Sequence, residues 1–399
     1  MPFGESEKGW SVPSEEIREG STKIIVPKVR ATGGPLTSKT PIFYNPIMEF
    51  NRDVSVLLVS KLIEEGGKEI LDGLAGTGIR GVRFANEIEK GASVTINDWN
   101  PIAHKFIKKN IEMNKLKNAV YSGEDLNVLL SRDRGRYDYI DIDPFGSPIM
   151  FFDSAVRSIK GNGVVGVTAT DTAPLCGTYP KTCLRRYGSH SSRTSYMHET
   201  GARILIASFA KTAMKYDYNV IPILVHSTDH YFRFYARVKK RTTKAKLSIN
   251  NIGYAAHDFK TGRREIFTEA EFFNTSKKYK KLLENNEKMG IIGPLWIGEL
   301  FDIEIVKKLP VKKQLGTIKR VQKMQRLWIE EANATPLFYD MNEIASILKV
   351  SPPRLEEIIE KLKECGFDAW RTHFSPTGFK TTAKIEDIND TFRSLAKSK

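Results

Sequence analysis

Residues 48–226 alternate between short apolar runs and longer segments whose apolar residues recur at helical spacing. Short apolar runs between polar or glycine residues predict β-strands, whereas apolar residues three or four positions apart predict amphipathic helices. The predicted strands are 69–72, 93–98, 119–122, 137–143, 163–170 and 219–226, and the predicted helices are 48–65, 79–90, 102–114 and 199–215. This alternation is typical of a doubly wound, Rossmann-like α/β sheet.

A further strand, predicted at 231–239, follows the strand 219–226 after a short turn and closes the sheet with an antiparallel hairpin. In this strand Tyr231, Arg233, Tyr235 and Arg237 alternate with apolar residues, so they share one face. Two interpretations fit that face: contact with RNA through stacking and charge, or an ordinary solvated outer surface.

The C-terminal part contains a different pattern. Helical spacing predicts helices at 340–348 and 352–365 with a tight turn between them, and residues 367–382 predict a hairpin. Helix, turn, helix and hairpin in this order resemble a winged helix-turn-helix module, at about residues 335–385. Such modules bind nucleic acids or other proteins, and the pattern leaves both open.

Length and charge divide the chain in two. A chain of 399 residues is too long for one small core. Residues 1–230 carry 29 Lys and Arg against 26 Asp and Glu, a net of +3, whereas residues 231–399 carry 33 against 21, a net of +12. A concentrated positive charge favours a phosphate backbone as partner. We place the domain boundary near residue 245, at the basic stretch 239–244 that follows the last predicted strand of the sheet. This predicts an N-terminal extension and α/β domain at 1–245 and a basic, mixed α+β domain at 246–399.

Several functional classes are disfavoured. No run reaches the roughly 18 apolar residues of a membrane helix, and no secretory signal precedes the first domain. The three scattered cysteines, Cys176, Cys183 and Cys365, favour a reducing compartment and form no Cys-x-x-Cys pair of the kind that binds zinc. We expect a cytoplasmic protein with no metal, no membrane association and no obligatory protein partner.

The first strand-to-helix connection is rich in glycine. Gly76, Gly78 and Gly81 match the spacing of a dinucleotide-binding loop imperfectly, so this motif alone leaves a dinucleotide cofactor open. The next strand ends at Asp98, about 20 residues later, where a carboxylate can accept both hydroxyls of a ribose or cap the following helix.

The next strand end narrows the choice of cofactor. Asp125 adds a second acid where an adenine amine would lie, and Arg52 and Arg80 offer partners for a carboxylate. S-adenosylmethionine carries a ribose, an adenine and an amino-acid carboxylate. NAD would need a hydride-transfer partner in the second half of the chain, and none is evident. The pattern favours S-adenosylmethionine.

A carboxylate, a proline and an aromatic ring follow the strand 137–143. The amine of a nucleobase is a poor nucleophile until its hydrogens are held or removed. Asp143 and the carbonyl of Pro144 offer acceptors, and Phe145 offers a ring for stacking. The motif therefore indicates methylation of a base amine. The alternative is a plain turn with Phe145 in the core.

Taken together, these motifs resemble the tRNA guanine-26 N2-dimethyltransferases of archaea and eukaryotes. The most specific is Asp141-Ile142-Asp143-Pro144-Phe145-Gly146-Ser147-Pro148. The other matching segments, in the family's order, are 43–46, 51–53, 77–81, 166–171, 173–177, 229–233 and 372–378. Some relatives carry two Cys-x-x-Cys pairs after the catalytic domain, and their absence here agrees with the prediction of no zinc site.

The resemblance implies a class I methyltransferase domain, a family-specific C-terminal domain that binds tRNA, and S-adenosylmethionine as cofactor. The implied cofactor ligands are Arg52, Arg80, Asp98, Asp125 and the backbone of Leu126. Around the guanine, Asp143 would accept a proton or a hydrogen bond from N2, the Pro144 carbonyl would hold the other hydrogen, Phe145 would stack on the base, and Phe43 would oppose it.

The implied function is transfer of methyl groups to N2 of guanine 26 in tRNA, giving N2-methyl- and N2,N2-dimethylguanosine. The basic runs 277–281 and 312–320 leave the same two interpretations open, contact with RNA or a solvated surface, and we expect them to face the tRNA backbone. Two other functions stay open: methylation of an amine in another nucleic acid, and nucleic-acid binding by a degenerate, non-catalytic methyltransferase fold.

Overall fold

The structure is a computed structural model that describes residues 12–28, 42, 44–88, 91–240, 248–274, 289–311 and 313–397. Phe43, the basic run 277–281, Lys312 and the predicted boundary at residue 245 lie outside these residues.

The first elements in the described part of the chain form a hairpin. Strands β1 (Ser14–Glu19) and β2 (Thr22–Pro27) pair antiparallel around a turn at Gly20, whose φ is +57°. Helix α1 (Glu49–Glu64) follows a short 3-10 turn at Pro46–Met48. The side chain of Asn45 caps that turn by accepting from the Ile47 N–H at 3.0 Å.

The central sheet has seven strands in the order β5-β4-β3-β6-β7-β9-β8. The strands are β3 (Glu69–Asp72), β4 (Ser93–Asn97), β5 (Ala119–Ser122), β6 (Tyr137–Ile142), β7 (Ile159–Ala169), β8 (Tyr218–Thr228) and β9 (Tyr231–Lys240). The connecting helices are α2 (Ile79–Glu87), α3 (Pro101–Met113), α4 (Leu126–Arg132), α5 (Phe152–Ser158), α6 (Thr172–Leu175), α7 (Pro180–Tyr187) and α8 (Met197–Met214).

This order confirms the predicted doubly wound sheet and its antiparallel hairpin. Strands β3 to β7 are parallel to one another, and β9 runs antiparallel to both β7 and β8. The strand order reverses between β3 and β6, and in open α/β sheets ligands bind outside the carboxyl ends of the strands at such a switch point.

One prediction about this sheet is wrong. Tyr231, Arg233 and Tyr235 are at most 1% exposed, so their face of β9 neither meets solvent nor contacts RNA. Helix α1 covers that face, and its Ser55 Oγ lies 2.7 Å from the Tyr235 hydroxyl. The alternation of polar and apolar residues along β9 wrongly predicted an outer face, because the charge of Arg233 is buried and paired with Asp141 inside the protein. Arg237, nearer the strand's end, is partly exposed and pairs with Glu65.

The C-terminal part adds two small antiparallel sheets. The first has the order β11-β10-β12 and comprises β10 (Ile252–Asp258), β11 (Arg264–Thr268) and β12 (Met289–Trp296). Helices α9 (Ile303–Lys307) and α10 (Ile318–Glu331) follow. The second has the order β13-β15-β14 and comprises β13 (Tyr339–Asp340), β14 (Ala369–Arg371) and β15 (Gly378–Thr381), with helices α11 (Met341–Leu348), α12 (Leu355–Glu364) and α13 (Ile385–Lys397).

The second sheet and its helices have the predicted order of a winged helix-turn-helix. An apolar cluster formed within 341–392 holds this segment together. The apolar residues of 252–338, by contrast, belong to the same cluster as the central sheet. Trp328 on α10, for example, packs near Phe50 on α1 and His226 on β8, at ring-centre distances of 6.5 and 5.9 Å. The division at residue 245 stays a prediction.

None of the helices in the described ranges combines the length and apolar character that crossing a membrane requires.

The winged segment is fixed to α8 by a fully buried carboxylate. Glu199 accepts from the N–H groups of Leu337 and Phe338 at 2.9 and 3.1 Å and pairs with Arg203 and Lys380, both at 2.9 Å. Burial alone would raise the pKa of Glu199, but Lys380 and Arg203 outweigh it and lower the pKa to about 2.

We expect the ion pairs of Glu199 with Arg203 and Lys380 to make the stability of the fold sensitive to acid. Because the folded-state pKa lies below the ordinary value, the contribution of Glu199 is present above about pH 4.5 and is lost as the pH falls towards 2. Urea unfolding at pH 7 and at pH 3 should therefore show a smaller pH dependence for Glu199→Gln than for the unaltered chain. Equal pH dependence in the two proteins would contradict this role.

Candidate active site

The carboxyl ends of β3, β4, β5 and β6 bring together the loops that carry most of the predicted site residues. Asp98 follows β4, Asp125 follows β5 and Asp143 follows β6. Parallel strands make this inevitable, since their carboxyl ends share one edge of the sheet. The sequence therefore predicted correctly which residues lie at this edge.

The glycine loop lies between β3 and α2. Gly76 and Gly78 have φ values of +55° and +79°, which glycine adopts readily and other residues rarely do. Asp98 holds this loop, because one of its carboxylate oxygens accepts from the Gly76 N–H at 2.7 Å and the other from the Asn100 N–H at 2.9 Å. Burial raises the pKa of Asp98.

Asn97 joins three strand ends and was not singled out from the sequence. Its side-chain amide donates to the carbonyls of Gly73 and Glu124 at 3.0 and 3.1 Å, and its side-chain oxygen accepts from the Glu124 N–H at 3.1 Å. The residue is fully buried. Its only sequence signal is a polar side chain at the end of a buried strand, next to Asp98.

Asp125 caps helix α4, with one carboxylate oxygen accepting from the N–H groups of Asn127 and Val128 at 2.9 and 3.2 Å. Leu126 is the first residue of that helix, and the first N–H groups of a helix have no acceptor within the helix. The predicted pair therefore presents a carboxylate and a backbone donor on one loop.

Arg80 lies beneath the loop that follows β6. Its guanidinium donates to Asn51 and Ser55 at 2.8 and 2.6 Å, pairs with Asp141 at 3.3 Å and forms a close ion pair with Asp143. The residue is buried, whereas the side chain of Asp143 keeps 20% of its surface exposed. Arg80 thus fixes the carboxylate that the sequence predicts to be catalytic.

Asp141 extends this network into the core. It accepts from the Tyr139 hydroxyl at 2.6 Å and pairs with Arg233 at 2.5 Å. Burial alone would raise the pKa of Asp141, but Arg233 and Arg80 lower it below its usual range. On β3, Asp72 receives the Gly81 N–H at 2.8 Å, and burial together with the Asp141 charge raises its pKa to about 7.

Arg52 lies in a separate buried ion pair. Its guanidinium binds both carboxylate oxygens of Glu19, at 2.7 and 2.5 Å, and donates to the Asn45 carbonyl at 3.1 Å. Glu19 is on β1, which the sequence did not predict, so this partner was missed. The assignment of Arg52 as a cofactor ligand stays a prediction.

The loop Asp143-Pro144-Phe145-Gly146 is held open to solvent. The Gly146 N–H donates to Thr170 Oγ1 at 2.7 Å, and the Thr170 N–H donates to the Gly146 carbonyl at 3.0 Å. Pro144 is half-buried, and Phe145 is 69% exposed. The alternative that placed Phe145 in the core is therefore wrong, and its ring is accessible for stacking.

Trp99 is a second exposed aromatic residue at this edge of the sheet. It is 71% exposed and directly follows Asp98. Trp99 was not predicted as a site residue, although an aromatic residue directly after a strand-end acid was a usable signal. Within the described ranges, no three His, Cys, Asp or Glu side chains are arranged to hold a metal ion.

The described geometry and the sequence agree with comparisons to known proteins. Residues 20–393 match the family described as N2,N2-dimethylguanosine tRNA methyltransferase. The chain is 39% identical to the tRNA (guanine(26)-N(2))-dimethyltransferase of Pyrococcus furiosus, over 95% of this chain and 98% of that protein. The enzyme of the same name from Methanobrevibacter smithii is also 39% identical, over 96% and 98% of the two chains.

A solved structure shows the same fold. The complex of Trm1 from Pyrococcus horikoshii with S-adenosyl-L-methionine superposes with a TM-score of 0.82 at 37% identity and covers 94% of this chain and 99% of that one. The class I methyltransferase fold predicted from the sequence is confirmed. The chain belongs to the N2,N2-dimethylguanosine tRNA methyltransferase family.

Proposed function

We propose that this chain transfers methyl groups from S-adenosylmethionine to the exocyclic N2 of guanine 26 in tRNA, giving N2-methyl- and N2,N2-dimethylguanosine, and that it does so in the cytoplasm. The observation that carries this function is the position of Asp143. Its carboxylate is partly exposed at the carboxyl end of β6, and the exposed ring of Phe145 follows two residues later. The named relatives from Pyrococcus and Methanobrevibacter support the substrate, and the Pyrococcus horikoshii complex supports the cofactor.

The strand-end loops fit S-adenosylmethionine. Gly76 and Gly78 let a ligand approach the backbone closely. A side chain at position 73 would collide with the protein itself, because a Cβ on Gly73 would lie 2.9 Å from the carbonyl oxygen of Asp141. Asp98 would hold the ribose, and Asp125 with the Leu126 N–H would hold the adenine. When bound, the cofactor supplies an electrophilic methyl group on a sulfonium.

The amino-acid carboxylate of the cofactor is the proposed partner of Arg52 and Arg80. The guanidinium groups already bind carboxylates in this structure, Glu19 for Arg52 and both Asp141 and Asp143 for Arg80. Cofactor binding would therefore require each arginine to share its five N–H donors with a further carboxylate or to exchange one carboxylate for another.

Asp143 would act on the guanine amine. A base in the tRNA core must leave its stack to reach this edge, at a cost of a few kcal/mol, which stacking on Phe145 partly offsets. One N2 hydrogen would bond to Asp143 and the other to the Pro144 carbonyl, so that the nitrogen faces the methyl donor. Transfer would form the N–C bond and break the methyl–sulfur bond, which leaves a neutral thioether, and Asp143 would accept the N2 proton. After the first transfer one hydrogen remains, and Asp143 alone suffices to hold it.

Incubation of the full chain with an unmodified tRNA transcript and methyl-labelled cofactor tests the proposal. We expect label in N2-methyl- and N2,N2-dimethylguanosine after nucleoside digestion and mass analysis. A transcript with adenine at position 26 should accept no label there. Transfer to duplex DNA in place of tRNA would favour the other-nucleic-acid function, and cofactor binding without any transfer would favour a non-catalytic binding protein.

Replacement of Phe145 with alanine should weaken the reaction through loss of stacking. Stacking of a base on an aromatic ring contributes about 1–3 kcal/mol, which corresponds to a fall in kcat/KM for tRNA of roughly 5- to 150-fold. Because the ring is exposed, folding and cofactor affinity should not change. Phe145→Tyr should retain most activity as the matched control, and equal activity of the alanine and tyrosine variants would argue against stacking.

A further inference from the structure

An acid-free basic segment follows the last parallel strand of the catalytic sheet. Residues 172–198 carry four Lys or Arg residues and no Asp or Glu. The first 230 residues as a whole have a net charge of only +3 (29 Lys and Arg against 26 Asp and Glu), so this segment is a local concentration of positive charge. It contains helices α6 and α7, and neither the cofactor site nor the Asp143 loop uses its cations.

Hydrogen bonds fasten α7 next to the catalytic loop. Asp171 accepts from the Tyr187 hydroxyl at 2.6 Å and from Arg186 at 3.0 Å, which ties the end of α7 to the end of β7. Its neighbour Thr170 is bonded to Gly146 in the Asp143 loop. The helix is therefore positioned by the same strand end that positions Phe145.

The two faces of α7 differ in character. Cys183 and Tyr187, four residues apart, are buried against the domain. Lys181, Leu184 and Arg185 have the three- and four-residue spacing of the opposite face and are exposed. Among the residues that the structure describes, no carboxylate lies within 4.0 Å of the charged nitrogens of Lys181 or Arg185. Tyr179, directly before the helix, is 59% exposed.

We propose that the exposed face of α7, formed by Tyr179, Lys181, Leu184 and Arg185, binds the tRNA sugar-phosphate backbone beside the base that enters the site. This inference rests on the proposed function. Unpaired cations supply the electrostatic affinity for phosphates, and phosphate contacts set the position of a nucleic acid on a protein. A base drawn out of its stack needs its flanking phosphates held, and α7 is tied to the same strand end as the Asp143 loop. The exposed apolar surface of an eight-residue helix is too small to favour a protein partner.

The test compares tRNA binding by the full chain and by the double variant Lys181→Glu, Arg185→Glu. We expect at least a tenfold larger Kd for unmodified tRNA. The slope of log K against log salt concentration should also be smaller in magnitude by about 2, one for each lost phosphate contact. The affinity for S-adenosylmethionine and the thermal unfolding midpoint should not change, since both side chains are exposed and neither belongs to the cofactor loops.

The matched control is Lys239→Glu, Lys240→Glu. These exposed lysines are the last two residues of β9, and Lys240 is the strand neighbour of Tyr218 on β8. They lie at the edge of the sheet opposite the carboxyl ends of the parallel strands. The charge change is identical in the two double variants. At a salt concentration that screens distant charges, the control should therefore bind tRNA within about twofold of the unaltered chain. A Kd and a salt slope unchanged in the α7 variant would overturn the proposal, as would an equal loss in the control.

Methyl transfer, measured in parallel, separates this inference from the proposed function. If the unaltered chain binds tRNA but transfers no methyl group to it, the proposed function fails, while the comparison of salt slopes still decides the role of α7. If transfer is normal and the α7 variant binds tRNA as the unaltered chain does, only the role of α7 fails.

Discussion

Replacement of Asp143 with asparagine is expected to lower kcat for methyl transfer by about 10²- to 10⁴-fold, the usual contribution of a positioned acid–base group. The amide keeps the shape of the side chain but cannot take the N2 proton. Because Asp143 lies at the rim of the site with 20% of its side chain exposed, cofactor affinity and folding should be nearly normal. Single-turnover transfer to unmodified tRNA measures the rate, and equilibrium binding measures the cofactor.

Asp138→Asn is the matched control for this variant. Asp138 is the second residue of β6, near the end opposite Asp143, has a similar side-chain exposure of 23% and also pairs with a cation, Lys160 at 2.7 Å. Its amide variant should therefore reproduce the loss of a charge on β6 without loss of activity. Full turnover in the Asp143 variant would refute its role, and an equal loss in both variants would assign the effect to the strand.

The second large effect is on stability. We expect Asp141→Ala to lower the free energy of unfolding by about 3–5 kcal/mol, because it removes the carboxylate that neutralises the buried guanidinium of Arg233 and leaves that guanidinium with neutral acceptors such as those of Thr168 and Tyr139. Arg233 is fully buried and donates to Asp141 at 2.5 Å. Urea unfolding at neutral pH measures the change, and Asp143→Asn serves as the comparison, since its arginine partner, Arg80, keeps a second carboxylate in Asp141.

A double-mutant cycle identifies the cause. Asp141→Ala combined with Arg233→Met should lose less stability than the two single changes added together, since the second change removes the unpaired charge. Strictly additive losses would show that the ion pair itself is not what the single variants disturb.

The central sheet was predictable because each of its elements carries its own local signal. The strand at Glu69–Asp72 was predicted at its observed limits, and the helix at Glu49–Glu64 was predicted to within one residue at each end. Strand β1 (Ser14–Glu19) was missed because it contains a single apolar residue, Ile17, and forms by pairing with β2. Helix α4 was missed because its seven residues are too few to show a helical period.

The candidate site was predictable only in part. Topology alone places Asp98, Asp125 and Asp143 at one edge, so a correct sheet was enough to bring them together. The pairs Arg80–Asp143 and Arg52–Glu19 join residues 63 and 33 positions apart, and no local pattern records such a partner. Arg233 was misjudged for the same reason, since the rule that charged residues face solvent fails when an opposite charge is buried beside them.

The apolar cluster that runs from the central sheet into residues 252–338 has a consequence for how such enzymes can change. Residues 252–338 cannot be gained, lost or exchanged as an independent unit, because their removal would expose apolar residues of the central sheet. The winged segment keeps a separate interior within 341–392, so its own apolar residues can be exchanged without altering the lining of the sheet, as long as Lys380 still meets Glu199 on α8.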